Sequence, residues 1–396
     1  MRLPPRARLM LPLAAVVVVV VAGGPYLLRG SGPPLRTTVI QDGLEVPWGI
    51  AFPPDGRMLV TERPGRILVF AGAAPDAELH ATVHVPDVRA EREAGLMGIA
   101  VDHDLETNPF VYVCASRDAD GEAGPAPWSN ELLRYRLGDG GDLELDTVLF
   151  DEPMPAAIHH NGCAVVMDEA RHIWLTMGDG NISAAQVNPA QDPTALSGKI
   201  LRLNADGSVP NDNPVLPGAD APTAAWSMGH RNPQGLAMRE DGLVLAPEHG
   251  TDTHDEINRI EPGGNYGWAC WIGEGTAAQA QDGPGGEGCE PASAYLPPLW
   301  SSGTPTIATS GGVFLEGEAW GDWEGSLVVS TLKDEDLRRF EVLDGGDRLE
   351  PRDILLDGEF GRLRAVVIGP DGALYVSTSN ETSGDDRIIR VERPAG

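Results

Sequence analysis

The chain has 396 residues with 41% apolar side chains, enough for one large or two ordinary domains. It carries 59 acids against 29 lysines and arginines, a formal net charge of −30, and a body this acidic repels a phosphate backbone, which excludes nucleic acid as a partner. The 49 glycines and 34 prolines, with few aromatics, favour many short strands and turns over long helices.

The first 30 residues stand apart. Arg2, Arg6 and Arg8 precede an apolar run from Leu9 that includes Val16–Val21, and the small residues Ala22, Gly23 and Gly24 follow. This reads as a signal peptide or an uncleaved N-terminal membrane anchor. Residues 31–396 are therefore expected to form one exported domain, periplasmic or extracellular, that meets a membrane only through that segment.

One pattern then recurs in chain order: an apolar strand, a turn and a second apolar strand. Trp48–Phe52 turns at Asp55-Gly56 into Met58–Val60. Gly98–Val101 pairs with Val111–Val113, and Ala164–Met167 turns at Asp168-Glu169 into Ile173–Leu175. Gly235–Met238 turns at Asp241-Gly242 into Leu243–Leu245. Gly312–Leu315 turns near Trp323–Gly325 into Leu327–Val329, and Ala365–Ile368 turns at Asp371-Gly372 into Leu374–Val376. Asp-Gly between apolar strands is a hairpin signal, and six similar units predict an all-β, six-bladed β-propeller, with a pair of β-sandwiches as the alternative. Insertions at 117–129 and 273–290, rich in Gly, Pro, Ala and acid, are expected as long loops over one end of the channel.

The even count of cysteines suits disulfides in an exported chain. Cys270 and Cys289 flank a Gly-rich loop and are expected to pair, which leaves Cys114 for Cys163; three pairings are formally possible.

The chemistry-bearing residues fall between the hairpins. His159-His160-Asn161-Gly162 precede the third hairpin and Gly178-Asp179-Gly180-Asn181 follow it, so His160 and Asp179 can meet at its two ends. An aspartate on one imidazole nitrogen leaves the other as a general base. Gly229-His230-Arg231-Asn232-Pro233-Gln234-Gly235 packs a fixed cation and two carboxamides into seven residues, and Arg231 can contact a carboxylate or a quinone oxygen in a bidentate way. Pro247–Glu256 holds two His, two Asp and two Glu, but its histidines are five apart, outside familiar zinc spacings, and carboxylates with carbonyls favour calcium. Arg362 and Arg364 are two apart in a strand-like run and so share a face, which calls for an anion between them.

These motifs resemble those of the soluble quinoprotein glucose dehydrogenases and aldose sugar dehydrogenases, across most of residues 38–393. The resemblance is carried by Gly229–Gly235, the His160–Asp179 hairpin, Asp255–Trp268 and Gly361–Arg364. It implies pyrroloquinoline quinone (PQQ) and calcium as cofactors, and oxidation of an aldose at its anomeric carbon to a lactone with an external electron acceptor. By the same resemblance His160, Asp179 and Arg231 are catalytic, and Arg231, Asn232, Gln234, Thr306, Lys333, Arg362 and Arg364 contact the cofactor. Glu93, where the glucose enzymes have Gln, and His159 face the substrate. The carbonyls of Gly250 and Thr251 hold the cofactor calcium, and Glu256 with the Tyr266 carbonyl a second one. Thr251 replaces a usual Pro, and Ala365 a usual Asp. The alternatives are a calcium-dependent propeller lactonase and a non-catalytic binding propeller.

Overall fold

The computed structural model describes residues 35–394 apart from 119–127, 151, 153, 182–187, 271–288, 291 and 381–383. Residues 1–34, most of the first insertion and most of the second lie outside the described residues. Among the described residues no helix is long and apolar enough to cross a membrane.

Six four-stranded antiparallel sheets form the six blades of a propeller. Blade 1 is Pro47–Ala51, Met58–Glu62, Arg66–Phe70 and Leu79–His84. Blade 2 is Leu96–Val101, Phe110–Arg117, Ser129–Leu137 and Leu143–Val148. Blade 3 is Gly162–Met167, His172–Met177, Lys199–Asn204 and Ala225–Met228. Blade 4 is Ala237–Met238, Val244–Glu248, Glu256–Arg259 and Trp300–Ser301. Blade 5 is Thr309–Phe314, Leu327–Thr331, Leu337–Leu343 and Arg348–Leu355. Blade 6 takes Leu363–Ile368, Leu374–Thr378 and Asp386–Glu392 from the C-terminal end and closes the ring with Arg36–Leu44 as its fourth strand. The six predicted hairpins are the two innermost strands of the six blades.

The apolar core follows this geometry. It splits into one layer per blade interface. Tyr112 and Leu132 meet Ile173 and Leu201 between blades 2 and 3, while Leu245 and Ile257 meet Phe314 and Phe340 between blades 4 and 5. The inner strands approach so closely that a side chain cannot fit at some positions. A Cβ on Gly98 would lie 2.2 Å from the Cys163 carbonyl oxygen, and one on Gly311 2.7 Å from that of Arg364. Cys114–Cys163 bonds blade 2 to blade 3, and Cys270 pairs with Cys289, both as expected.

The inner strands are regular only away from one mouth. Near it the pairing of first and second strands slips, between Pro47 and Gly49, Leu96 and Ile99, Gly162 and Val165, Thr309 and Gly312, and Leu363 and Val366. Such bulges re-aim the backbone. In blade 4 the irregular part is longest, and the Gly229–Gly235 motif fills it. Pro233 lies opposite Glu248 as a single bridge, and the Gln234 N–H donates to the Pro247 carbonyl at 3.1 Å.

Buried carboxylates latch neighbouring blades at this mouth. Asp386 in blade 6 accepts the Val46 N–H at the entry to blade 1 (3.0 Å), with the Thr378 hydroxyl (2.8 Å) and the Asn380 N–H (2.7 Å). Asp255 does the same from blade 4 for the Ile307 and Ala308 N–H groups at the entry to blade 5 (2.6 and 2.7 Å). Replacing Asp386 by alanine leaves three buried donors without an acceptor. The Asp386→Ala protein is expected to lose roughly 3 kcal/mol of stability, measured by denaturant unfolding; an unchanged midpoint would mean that the latch carries no load.

Candidate active site

His160 and Asp179 stand at the two ends of the inner hairpin of blade 3, where Gly162 pairs with Met177. His160 adopts a left-handed φ of 59°. Its carbonyl approaches Gly178 so closely that a Cβ there would sit 2.1 Å away, so only glycine fits beside it. The imidazole Nδ1 lies 2.7 Å from Asp179 Oδ1, which also accepts the Asn181 N–H at 2.8 Å. Asp179 Oδ2 accepts the Trp268 indole N–H at 2.7 Å. Every carboxylate oxygen is thus used, and the imidazole presents Nε2 as its remaining nitrogen. His160 is buried, with 8% of its surface exposed.

Glu93 enters from the segment before blade 2 and joins several loops. Its Oε2 accepts the His160 N–H at 2.9 Å, the Asn232 amide at 3.2 Å and the Gln234 amide at 3.3 Å, and its Oε1 lies 3.5 Å from His159 Nδ1. Burial alone would raise this carboxyl. The hydrogen bond from His159, the positive fields of His249 and His160, and the His160 N–H outweigh that and hold it at about 2. The same pair raises His159 above its ordinary value. The expected substrate residue is therefore also an anchor: one of its oxygens is committed to protein donors.

The Gly229–Gly235 motif runs past this anchor, and it is buried. His230 and Asn232 are fully buried, and Gln234 is nearly so. Such polar burial needs partners. His230 bonds Glu248 Oε2 and the Ser227 hydroxyl, both at 2.9 Å, and Asn232 Oδ1 accepts the Gly162 N–H at 3.2 Å. Glu248 also accepts the Arg231 N–H. The Arg231 guanidinium lies 5.3 Å from the Trp268 ring centre and donates to the carbonyls of Gly250 and His249. Its Nε has no partner, and burial lowers its pKa.

Beside it lies a cavity of about 30 Å³ whose wall includes Gly250, Thr251, Glu256 and Tyr266. The sequence assigned these four to two calcium ions, and the structure gathers them around one small space. Glu256 is pushed up to about 8 by burial and by its neighbours Glu248 and Asp255. Among the described residues no group of three or more His, Cys, Asp or Glu side chains is arranged to hold a metal.

Arg364 completes the site from blade 6. It is buried, stacks on Trp48 at 3.5 Å and donates to Gln234 Oε1 at 2.9 Å. Its Nε also lacks a partner, and burial lowers its pKa to about 9. Arg362 lies within its field and donates to the Ser379 carbonyl at 3.0 Å. Thr306 spends its hydroxyl on Asp255, at 2.7 and 2.8 Å. Lys333 is exposed.

Three contributors were missed from sequence: Trp268, Trp48 and Glu248. Trp268 and Glu248 sit inside the motifs Asp255–Trp268 and Pro247–Glu256, but nothing local marks an indole as a donor to an aspartate 89 residues away or a glutamate as a backbone buttress.

A propeller mouth built around a carboxylate-oriented imidazole presents a general base, and comparison with known proteins names its family. A family model described as glucose/sorbosone dehydrogenase matches residues 44–390. Aldose sugar dehydrogenase YliI of Escherichia coli (strain K12) is 34% identical over 360 residues, covering 89% of this chain and 91% of that protein. Quinoprotein glucose dehydrogenase B of Acinetobacter calcoaceticus is 32% identical over 250 residues, covering 58% of this chain and 51% of that one. The PQQ-bound aldose sugar dehydrogenase of Streptomyces coelicolor superposes with a TM-score of 0.72 at 29% identity, over 91% of this chain and 99% of that one. The chain belongs to the glucose/sorbosone dehydrogenase family.

The depressed Glu93 carboxyl carries a pH signature. Its folded value lies below the ordinary 4.5, so the unfolded chain takes up the proton first as pH falls. The stability it confers is complete above about pH 4.5 and is lost between there and about 2. Relative to Glu93→Gln, the wild type should lose roughly 3 kcal/mol between pH 5 and 2, read by denaturant unfolding at each pH; parallel curves would show that the carboxylate is not held ionised.

Proposed function

We propose that this protein oxidises an aldose at its anomeric carbon to a lactone, with PQQ and calcium bound at the channel mouth and electrons passing to an external acceptor. The observation that carries the reading is the set of unsatisfied charges around the His160–Asp179 pair. Arg231 and Arg364 each hold a buried guanidinium with an unpartnered Nε, and a polycarboxylate would relieve both. Arg231 meanwhile donates to the Gly250 carbonyl, an oxygen that a bound cation would otherwise neutralise. The buried Glu256 carboxyl, raised to about 8, favours a divalent cation nearby. The residues present therefore fit an anionic quinone beside calcium.

Arg231, Asn232, Gln234, Lys333, Arg362 and Arg364 would hold the quinone, with Thr306 kept on Asp255, and Gly250, Thr251, Glu256 and Tyr266 the calcium. When bound, the quinone supplies the two-electron oxidant. His160 takes the proton of the anomeric hydroxyl at Nε2, because Nδ1 is committed to Asp179. Asp179 fixes the tautomer and stabilises the imidazolium that forms. Arg231 supplies positive charge beside the reacting oxygens. Glu93 and His159 line the substrate side, and the Glu93 bond to the His160 N–H sets where the base sits. Residues 31–396 would be one propeller domain, and its two disulfides favour an oxidising compartment outside the cytosol.

Reconstitution with PQQ and calcium, followed by an aldose panel, tests the reading through the quinone absorbance. Sugar-dependent bleaching is expected; a folded protein that binds no PQQ would overturn it. His160→Ala should still bind the quinone but lose roughly 10²–10⁴-fold in turnover, and normal turnover would remove His160 as the base. Arg364→Ala should weaken quinone binding roughly 10–100-fold in a titration of the cofactor-free protein, and unchanged affinity would take Arg364 out of the site.

A further inference from the structure

We propose that Trp268 is the positioning residue that couples the two halves of this site, its indole N–H orienting Asp179 while its ring supports Arg231. The proposal rests on the reading of His160 and Arg231 above and assigns a role to a residue outside the base and the cations themselves.

The indole N–H is the partner of Asp179 Oδ2, at 2.7 Å, while Oδ1 takes His160 and the Asn181 N–H. The carboxylate can rotate about its own axis, and only a donor on each oxygen fixes the plane in which it meets the imidazole. The ring of the same residue lies 5.3 Å below the Arg231 guanidinium, within cation–π range. One side chain thus spans the base pair of blade 3 and the cation ahead of blade 4.

Trp268 is itself held. Its N–H donates to the Gly229 carbonyl at 2.9 Å, and its carbonyl accepts the Gln191 amide at 2.8 Å. Gln191 belongs to the turn that Lys199 ties down, its buried Nζ donating to the carbonyls of Pro189, Ala190 and Ser197 at 2.8, 3.1 and 3.0 Å.

Two substitutions separate the two roles. The side-chain amide nitrogen of glutamine lies three bonds from Cβ, as the indole Nε1 does, and does not titrate, so Trp268→Gln keeps a donor and loses the ring, whereas Trp268→Phe keeps an aromatic ring and loses the donor. Without the donor, the charge of Asp179 concentrates on the side facing His160 and stabilises the imidazolium. The titratable groups facing His160 are Asp179, Glu93 and His159, with Arg231 facing Asp179, and neither Trp268→Gln nor Trp268→Phe adds or removes one.

The first readout is the His160 imidazole titration, followed by NMR in the cofactor-free protein and assigned with His160→Ala. Trp268→Phe should move the midpoint up by about 0.5–1 pH unit, and Trp268→Gln should leave it at the wild-type position. The second readout is PQQ affinity in the presence of calcium, which should fall in Trp268→Gln and hold in Trp268→Phe. Identical behaviour of the two variants, or a wild-type titration in Trp268→Phe, would overturn the proposal. The titration needs no turnover, so it stands apart from whether the wild type oxidises a sugar. Should Trp268→Phe fail to fold, the proposal still falls if Trp268→Gln shifts the midpoint.

Discussion

One carboxylate oxygen, Glu93 Oε2, holds the mouth of this propeller together. It accepts donors from the segment before blade 3 and, twice, from the segment before blade 4. Gln234 then passes the connection to Arg364 in blade 6. A propeller has no central apolar core to fix its axis, because its apolar layers lie between blades. Polar groups must do that work at the mouth, and a half-buried carboxylate meeting several N–H donors is a strong way to do it, since hydrogen bonds strengthen where water is scarce. The position of the base follows from this anchor, because the His160 backbone is one of its donors.

Around the anchor the electrostatics are unfinished. Burial disfavours the charge of Arg231 and Arg364, yet each keeps an Nε without a partner. Glu256 is pressed toward its neutral form by burial and by two neighbouring acids. A site that needed only stability would not keep such groups buried. Unpaired cations beside an unpaired acid are what a site for an anion and a cation looks like when the protein alone supplies the partners. Arg231 compensates by donating to the Gly250 carbonyl. In a chain of net charge −30, drawing these few cations into one mouth also keeps them away from the acidic surface.

Much of the fold was legible. Each Asp-Gly or equivalent turn between apolar strands marked the inner hairpin of a blade, and six of them gave the ring. The His160–Asp179 pair was legible too, because both residues flank one hairpin and antiparallel pairing brings its ends together. The motif at 229–235 was read as a fixed cation with two carboxamides; it is buried, and its partners Glu93, Glu248 and Ser227 show how the cost of burying polar groups is offset. Other features were hidden. Glu93 was read as a substrate residue and proves also to be an anchor, and Thr306, expected at the cofactor, has its hydroxyl in the latch to Asp255. The four residues split between two calcium ions surround a single cavity.

By itself the sequence determined what depends on near neighbours: the strand alternation, the turns and the contacts within one hairpin. Those are set by side-chain period and backbone sterics over a few residues. Only the tertiary structure decided which loops meet. Glu93 and Gln234 are 141 residues apart, Gln234 and Arg364 130, and Val46 and Asp386 340. Their meeting depends on six blades closing at a common angle, with the first strand completing the last sheet. No local pattern encodes that angle; it comes from how close the inner strands can pack, glycine against the next blade's backbone at Gly98, Gly235 and Gly311.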